Sequence, residues 1–210
     1  MTQTRRALIF AAAAAALMPA VPALAQSGLS AADRARVDRA VAYLQGLSSV
    51  RGRFTETSSR GRTQQGDYYL QRPGRARFEY DAPSRLLVVS DGSNVKRYDP
   101  RLNTFQQVPL GQTPLSLFLG REIRVDQGVR IEDVRDVSGG FAIVARDARR
   151  PRDGQIVLTF AESPMRLREW TIVDAQGGRT RVQLTSLQNA GGLDRNLFIL
   201  RDPTRRRSRN

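Results

Sequence analysis

The sequence predicts a mainly β, α+β protein: a curved, incompletely closed antiparallel β-barrel of about ten or eleven strands, with a helical lid over an apolar cavity. Three observations carry this. Apolar and polar residues alternate over most of the chain, the period of a half-buried strand. Pro-Gly, Asp-Gly and Gly-Gly pairs punctuate the runs at roughly eight- to twelve-residue intervals, the spacing of a hairpin meander. Only two stretches have helical period, and no strand–helix–strand rhythm appears, so the sheet is not parallel.

The chain opens with Arg5 and Arg6, an apolar run from Ala7 to Met18, and Ala23-Leu24-Ala25. A charged region, a hydrophobic core and an A-x-A site predict a signal peptide over 1–25, cleaved after Ala25, and hence a periplasmic protein. The apolar run is short for a membrane span. Thr4-Arg5-Arg6-Ala7-Leu8 resembles a twin-arginine signal only loosely, so the general secretory route is favoured. Residues 26–210 are read as one domain, with no low-complexity linker to divide it.

Ser30-Ala31-Ala32-Asp33 has the form of a capping box. Val37, Ala40, Val41, Leu44 and Leu47 then make one apolar stripe, which predicts a helix packed on a sheet or across a barrel mouth. Gly46 and Ser48-Ser49 end it. Val50, Gly52 and Phe54 share one face of a first strand. From Gly66 to Pro100 the alternation is clearest, in Tyr68-Tyr69-Leu70-Gln71 and in Arg75-Ala76-Arg77-Phe78-Glu79-Tyr80, with turns at Arg72-Pro73-Gly74, Asp81-Ala82-Pro83-Ser84 and Asp91-Gly92-Ser93-Asn94. A further strand covers 103–108. Pro114 then suits the first turn of a helix with Thr113 as its cap, and Leu115, Leu117, Phe118 and Leu119 make that helix almost wholly apolar. Strands resume at 129–137, 141–146, 155–160, 167–173 and 179–187, with a last short one at 197–200. Residues 204–210 form a basic tail.

Composition narrows the chemistry. Histidine and cysteine are both absent, which removes disulfides, histidine-dependent triads and the usual zinc sites. The formal charge is +14, and 33 of the 34 basic residues are arginine. No Gly-x-Ser-x-Gly is present, Lys96 is the only lysine and fits an exposed strand end, and the carboxylate pair Glu132-Asp133 implies no cleft. The expectation is a protein that is not an enzyme and has no catalytic residues, cofactor or metal. A sheet this long encloses a volume that two short helices do not fill. The strand aromatics Phe54, Tyr68, Phe78 and Tyr80, with Leu70 and Val88, are the candidate lining; Leu115, Phe118 and Leu119 are the candidate cover.

The same residues carry a resemblance. Gly66-Asp67, Tyr69, Arg72-Pro73, Arg77-Phe78-Glu79-Tyr80, Pro83, the apolar strand 86–89, Ser90-Asp91-Gly92 and Tyr98-Asp99-Pro100, in that order, resemble the periplasmic outer-membrane lipoprotein carriers, the LolA family. The likeness reaches back to the strand at 50–55 and forward to Thr113-Pro114-Leu115. Ala76 departs from it, standing where the family commonly carries a larger apolar residue. The resemblance implies a chaperone that carries acylated lipoproteins from the inner to the outer membrane. Its implied partners are the inner-membrane lipoprotein-releasing ABC transporter complex and, where one exists, an outer-membrane receptor; it implies a monomer and no nucleic acid. It also implies that Arg72 is a lid latch, its guanidinium bonding backbone carbonyls of the lid. The alternatives are a carrier or sensor of the same fold for another lipid or glycolipid, and a periplasmic hydrolase rich in strands.

Overall fold

The computed structural model describes residues 28–125 and 127–205; the expected leader over 1–25 and the last five residues of the basic tail lie outside them. Ser30 opens helix α1 (Ala31–Gly46). Its hydroxyl accepts from the Asp33 N–H at 3.1 Å and donates to the Asp33 carboxylate at 2.6 Å, so the first turn is capped by its own neighbours. Val37, Ala40 and Leu44 are buried along one stripe, with Val41, Tyr43 and Leu47 beside them.

Twelve strands follow: β1 (Ser49–Ser58), β2 (Thr63–Gln71), β3 (Arg75–Tyr80), β4 (Leu87–Asp91), β5 (Asn94–Asp99), β6 (Thr104–Pro109), β7 (Val129–Val137), β8 (Gly140–Asp147), β9 (Gly154–Glu162), β10 (Met165–Asp174), β11 (Arg179–Leu184) and the two-residue β12 (Gln188–Asn189). Between β6 and β7 lie a 3-10 turn, Leu110–Gln112, and the single-turn helix α2 (Ser116–Leu119). The strands form one antiparallel sheet in the order β6-β5-β4-β3-β2-β1-β11-β10-β9-β8-β7, with β12 beside β1. Because β6 and β7 end the order and do not pair, the barrel is curved but open. The β7 edge carries Arg130, Glu132, Asp133, Arg135 and Asp136, side chains that oppose further strand addition.

The register explains the interior. Tyr68 lies opposite Phe78, Leu70 opposite Ala76, and Gly66 faces both Phe54 and Tyr80. Gly66 leaves room for those rings: a Cβ there would sit 2.1 Å from the Glu79 carbonyl oxygen and 2.9 Å from the Phe54 ring. Gly52 does the same for a neighbouring segment, since a Cβ there would come within 2.0 Å of the Ser186 carbonyl oxygen.

Three expectations need correction. The strand read as 179–187 breaks after Leu184, because the chain folds into the space left by Gly52. There Ser186 Oγ accepts from the Arg53 N–H at 2.9 Å, and the Ser186 carbonyl accepts from the Tyr68 hydroxyl at 2.8 Å. The expected strand at 197–200 is instead a 3-10 turn, Arg195–Phe198, whose cap Asp194 accepts from the Asn196 N–H. It packs across β3 and β4 on the convex side, where Phe198 and Val89 are buried and Arg77 donates to the Leu197 carbonyl at 2.9 Å. Thr113 does not cap α2. Its hydroxyl donates to the Leu110 carbonyl at 2.8 Å, inside the preceding turn, and α2 starts two residues beyond Pro114.

Candidate functional site

Alternation along β1, β2 and β3 brings Phe54, Tyr68, Leu70, Phe78 and Tyr80 to the concave face, where all are buried. They interlock rather than line a void. Phe54 meets Phe78 and Tyr80 edge-on at 5.3 and 5.0 Å, Tyr68 stacks on Phe78 at 6.3 Å, and Trp170 of β10 joins from the far side at 6.0 Å from Phe78. Such ring pairs add to the area buried. Val88 is half-buried against the same core, opposite Phe78.

At one end this cluster becomes polar. The Tyr80 hydroxyl donates to Glu56 Oε2 at 2.5 Å. Burial raises the Glu56 carboxyl above its ordinary 4.5, against the lowering effect of that hydrogen bond and of Arg97, and burial also pushes the Tyr68 and Tyr80 phenols up.

The other half of the interior is mainly aliphatic around one ring group, in which Phe160 stacks on Phe141 at 5.5 Å and meets Tyr43 edge-on at 6.2 Å. Beneath α1, the side chains of Val37, Val41, Leu44, Ile143, Leu158 and Phe160 face an apolar pocket that Leu117 of α2 helps to close. The space in it is about 20 Å³, room for about one water and far too little for an alkyl chain. Val37, Val125 and Ile131 are shared with a broad open groove of about 820 Å³ between the start of α1 and the β7 edge. The groove touches the apolar interior along that seam, and its outer walls carry Asp33, Arg34, Asp38, Arg130, Glu132 and Asp133. Arg36 and Arg39 pin α1 beside it, by ion pairs to Asp136 at 2.8 Å and Glu162 at 2.6 Å.

Residues 110–120 cross from β6 over this interior. Leu117, Phe118 and Leu119 are buried, Leu115 is half-buried, and the Phe118 ring lies 5.5 Å from Trp170. Being so short, α2 leaves its last carbonyls without helical partners, and the β2–β3 turn supplies donors for three in a row. The Arg72 guanidinium donates to the carbonyls of Phe118 and, at 2.7 Å, Gly120; the Gly74 N–H donates to the Leu119 carbonyl at 2.7 Å. Gly74 has φ +78, and a Cβ on it would meet Gly92 Cα at 2.8 Å, so this turn requires glycine. Arg72 is half-buried with no acidic partner among the described residues, and burial lowers its pKa.

A second clamp grips the segment's other end. Arg150, in the β8–β9 loop, donates to the Gly111 carbonyl and is itself held by Asp147 at 3.1 Å and Asp153 at 3.7 Å. Sequence reasoning missed Arg150. Its one signal is the local Asp-x-x-Arg-x-x-Asp spacing, which marks an ordered arginine without naming what it holds.

The site offers apolar contact and backbone hydrogen bonds. Among the described residues no group of three or more acidic side chains is placed to hold a metal ion.

The chain is similar to several known proteins. An outer-membrane lipoprotein carrier protein of Methylococcus capsulatus is 29% identical over 87% of this chain and 91% of its own length. That of Bordetella pertussis is 32% identical over 85% of this chain and 83% of its own. A crystal structure of a LolA superfamily protein from Nitrosomonas europaea aligns with 78% of this chain and 97% of that chain, at 6% identity and a TM-score of 0.43. The model of the family described as "Outer membrane lipoprotein carrier protein LolA" matches residues 45–201, which include the β2–β3 turn, the lid segment and both arginine clamps, and the chain belongs to that family.

Proposed function

We propose that this protein is a periplasmic carrier that takes acylated lipoproteins released from the inner membrane and delivers them to the outer membrane, holding their acyl chains in the apolar interior beneath residues 110–120. The observation that carries the reading is an apolar lid fastened near its two ends by arginines on its backbone carbonyls, over an interior with space for about 20 Å³. Such a lid is built to move. In the closed form there is no room for cargo, and opening breaks a few hydrogen bonds without unpacking the sheet.

Magnitude favours an enclosed site. Three acyl chains of about fifteen methylenes each, at about 0.8 kcal/mol per methylene, cost on the order of 35 kcal/mol to leave in water. Apolar contact without hydrogen bonds to the cargo keeps the step reversible, so delivery requires only a better acceptor. The groove between α1 and β7 is the way in for the chains. An inner-membrane ABC transporter complex would load the carrier, an outer-membrane receptor or the membrane itself would unload it, and residues 1–25 would direct its export.

The test is release of lipoproteins from vesicles or spheroplasts. The exported protein should free them as a stoichiometric complex, with neither partner covalently changed. Catalytic release, or trimming of the acyl groups, would replace the carrier with a hydrolase. Phe118→Glu should abolish uptake, because a carboxylate beside arriving acyl chains must lose its water. A melting curve run alongside separates that outcome from plain unfolding of a buried position.

A further inference from the structure

In an antiparallel sheet successive turns alternate between its two ends, so the strand order places the β10–β11, β1–β2, β3–β4 and β5–β6 loops side by side along one rim. Those loops and their flanks carry Arg179, Arg60, Arg62, Arg85 and Arg101, all exposed, and none enters an ion pair among the described residues. The acids of this rim are already engaged. Asp81 holds Arg53 at 2.5 Å, Asp99 lies 3.6 Å from Arg97, and Asp174 accepts from the N–H groups of Gln176 and Gly178 in its own turn. At the opposite rim, Asp91, Asp136 and Glu162 are balanced by Lys96, Arg36 and Arg39, while Arg51, Arg166 and Arg168 are exposed and form no ion pair among the described residues. Unpaired arginines therefore stand at both ends of the barrel, and the first rim differs in one further feature.

The same rim carries an apolar tip. Leu102, at the point of the β5–β6 turn, is 69% exposed, more than any other large hydrophobic residue described. The turn is fixed so as to present it: Asp99 Oδ1 accepts from the N–H groups of Arg101 and Leu102, and Asn103 sits at φ +49. Arg85 is likewise held at φ +50, with its N–H on the Asp81 carbonyl at 3.1 Å. Between the two turns Arg62, Arg101, Thr63, Gln64 and Ser84 border a groove of about 440 Å³.

We propose that this rim docks the protein on an anionic phospholipid surface, with the arginines on headgroup phosphates and Leu102 at the boundary between headgroups and acyl chains. Guanidinium groups match phosphate oxygens two at a time, and a flat membrane reaches charges spread over four loops at once. A protein partner would need a wider apolar patch than one leucine. Single-stranded nucleic acid is bound by stacking, and these loops contain no aromatic residue. The proposal concerns the empty protein and does not depend on what it carries.

Sedimentation with lipid vesicles tests it, using the protein purified after export. Phosphatidylcholine vesicles with about 30% phosphatidylglycerol should bind at about 50 mM salt, bind at least about tenfold more weakly at about 300 mM, and outcompete pure phosphatidylcholine throughout. Arg62→Glu and Arg101→Glu should each weaken binding about fivefold or more. Arg166→Glu, an equal charge change at the opposite rim, should alter it less than about twofold. Leu102→Ser should weaken binding while leaving its salt dependence unchanged. The proposal fails if Arg166→Glu weakens binding as much as the rim variants do, since net charge alone would then act. It fails equally if neutral vesicles bind as well as anionic ones, or if the rim variants keep vesicle binding and lose binding to single-stranded DNA.

Discussion

The two halves of the interior are built from different materials. On β1 to β4, with Trp170 and Phe118 added, rings meet edge-on, tilted or stacked at 5.0 to 6.3 Å and fill their space. On β7 to β9, under α1, aliphatic side chains around the Tyr43, Phe160 and Phe141 rings leave a small pocket open toward the sheet edge. Interlocked rings tolerate few rearrangements, whereas aliphatic side chains repack at modest cost. On the proposed function, the aromatic half would be the fixed wall and the mainly aliphatic half the one that yields to cargo. The lid is clamped to both, by Arg72 on the first and Arg150 on the second.

The largest effect that would sharpen this contrast is on stability. Phe54→Ala, in the filled half, should cost about 3–5 kcal/mol, and Leu158→Ala, beside existing space, about 2–3 kcal/mol. Chemical denaturation measures both. Equal losses would mean that the halves are packed alike.

The clamps come next. Arg72→Leu leaves two carbonyls without their donor, a loss of about 1–3 kcal/mol in lid closure, enough to shift the open population at least about fivefold. Hydrogen exchange across residues 115–119 should speed up accordingly, and Arg150→Leu should do the same nearer 110–113. The double variant should show the sum, because the clamps hold opposite ends. A coupling above about 0.5 kcal/mol would make them one device.

Filling the yielding half should change binding more than folding. Leu158→Met, close to volume-neutral, should cost less than about 1.5 kcal/mol, while Ala145→Leu, which projects into the pocket, should reduce lipoprotein uptake with only a moderate shift in melting temperature. Uptake unaffected by Ala145→Leu would place the cargo elsewhere.

The smallest effect is electrostatic. Glu56 has a folded-state pKa raised by burial, so it favours folding below its ordinary 4.5, and that contribution is lost as pH rises through the raised value. Near neutral pH its buried charge is a cost. Glu56→Gln should therefore stabilise the protein by about 1 kcal/mol at pH 7 and by progressively less toward pH 4. A constant difference across that range would assign the gain to something other than ionisation.

Strand positions were legible because the alternation survives wherever one face is buried, as at β2, β3 and β9, and α1 was legible from its cap and stripe. What escaped was set by distant partners. Val89 points outward by parity, yet it is buried because the C-terminal turn covers it. The break before β12 depends on Gly52, whose neighbour Arg53 bonds Ser186, 133 residues further on. The place of Arg72 before Pro-Gly came from resemblance, but its geometry depends on carbonyls 46 and 48 residues further on. Arg150 was one arginine among 33, and only the fold shows that it reaches Gly111. The aromatic residues could be assigned to the concave face; that they would pack together, leaving the space under α1, is a matter of side-chain volume across five strands.

Trp170 is the only tryptophan in the chain, 1% exposed, and it touches the lid through Phe118 and the fixed wall through Phe78. The protein thus contains its own optical reporter where the proposed lid meets the wall. If the lid opens as proposed, one side of the indole exchanges a ring for water or for hydrocarbon, and its emission should shift red in the first case and stay blue in the second. Opening and filling, which most probes would merge, can therefore be timed separately without attaching a label.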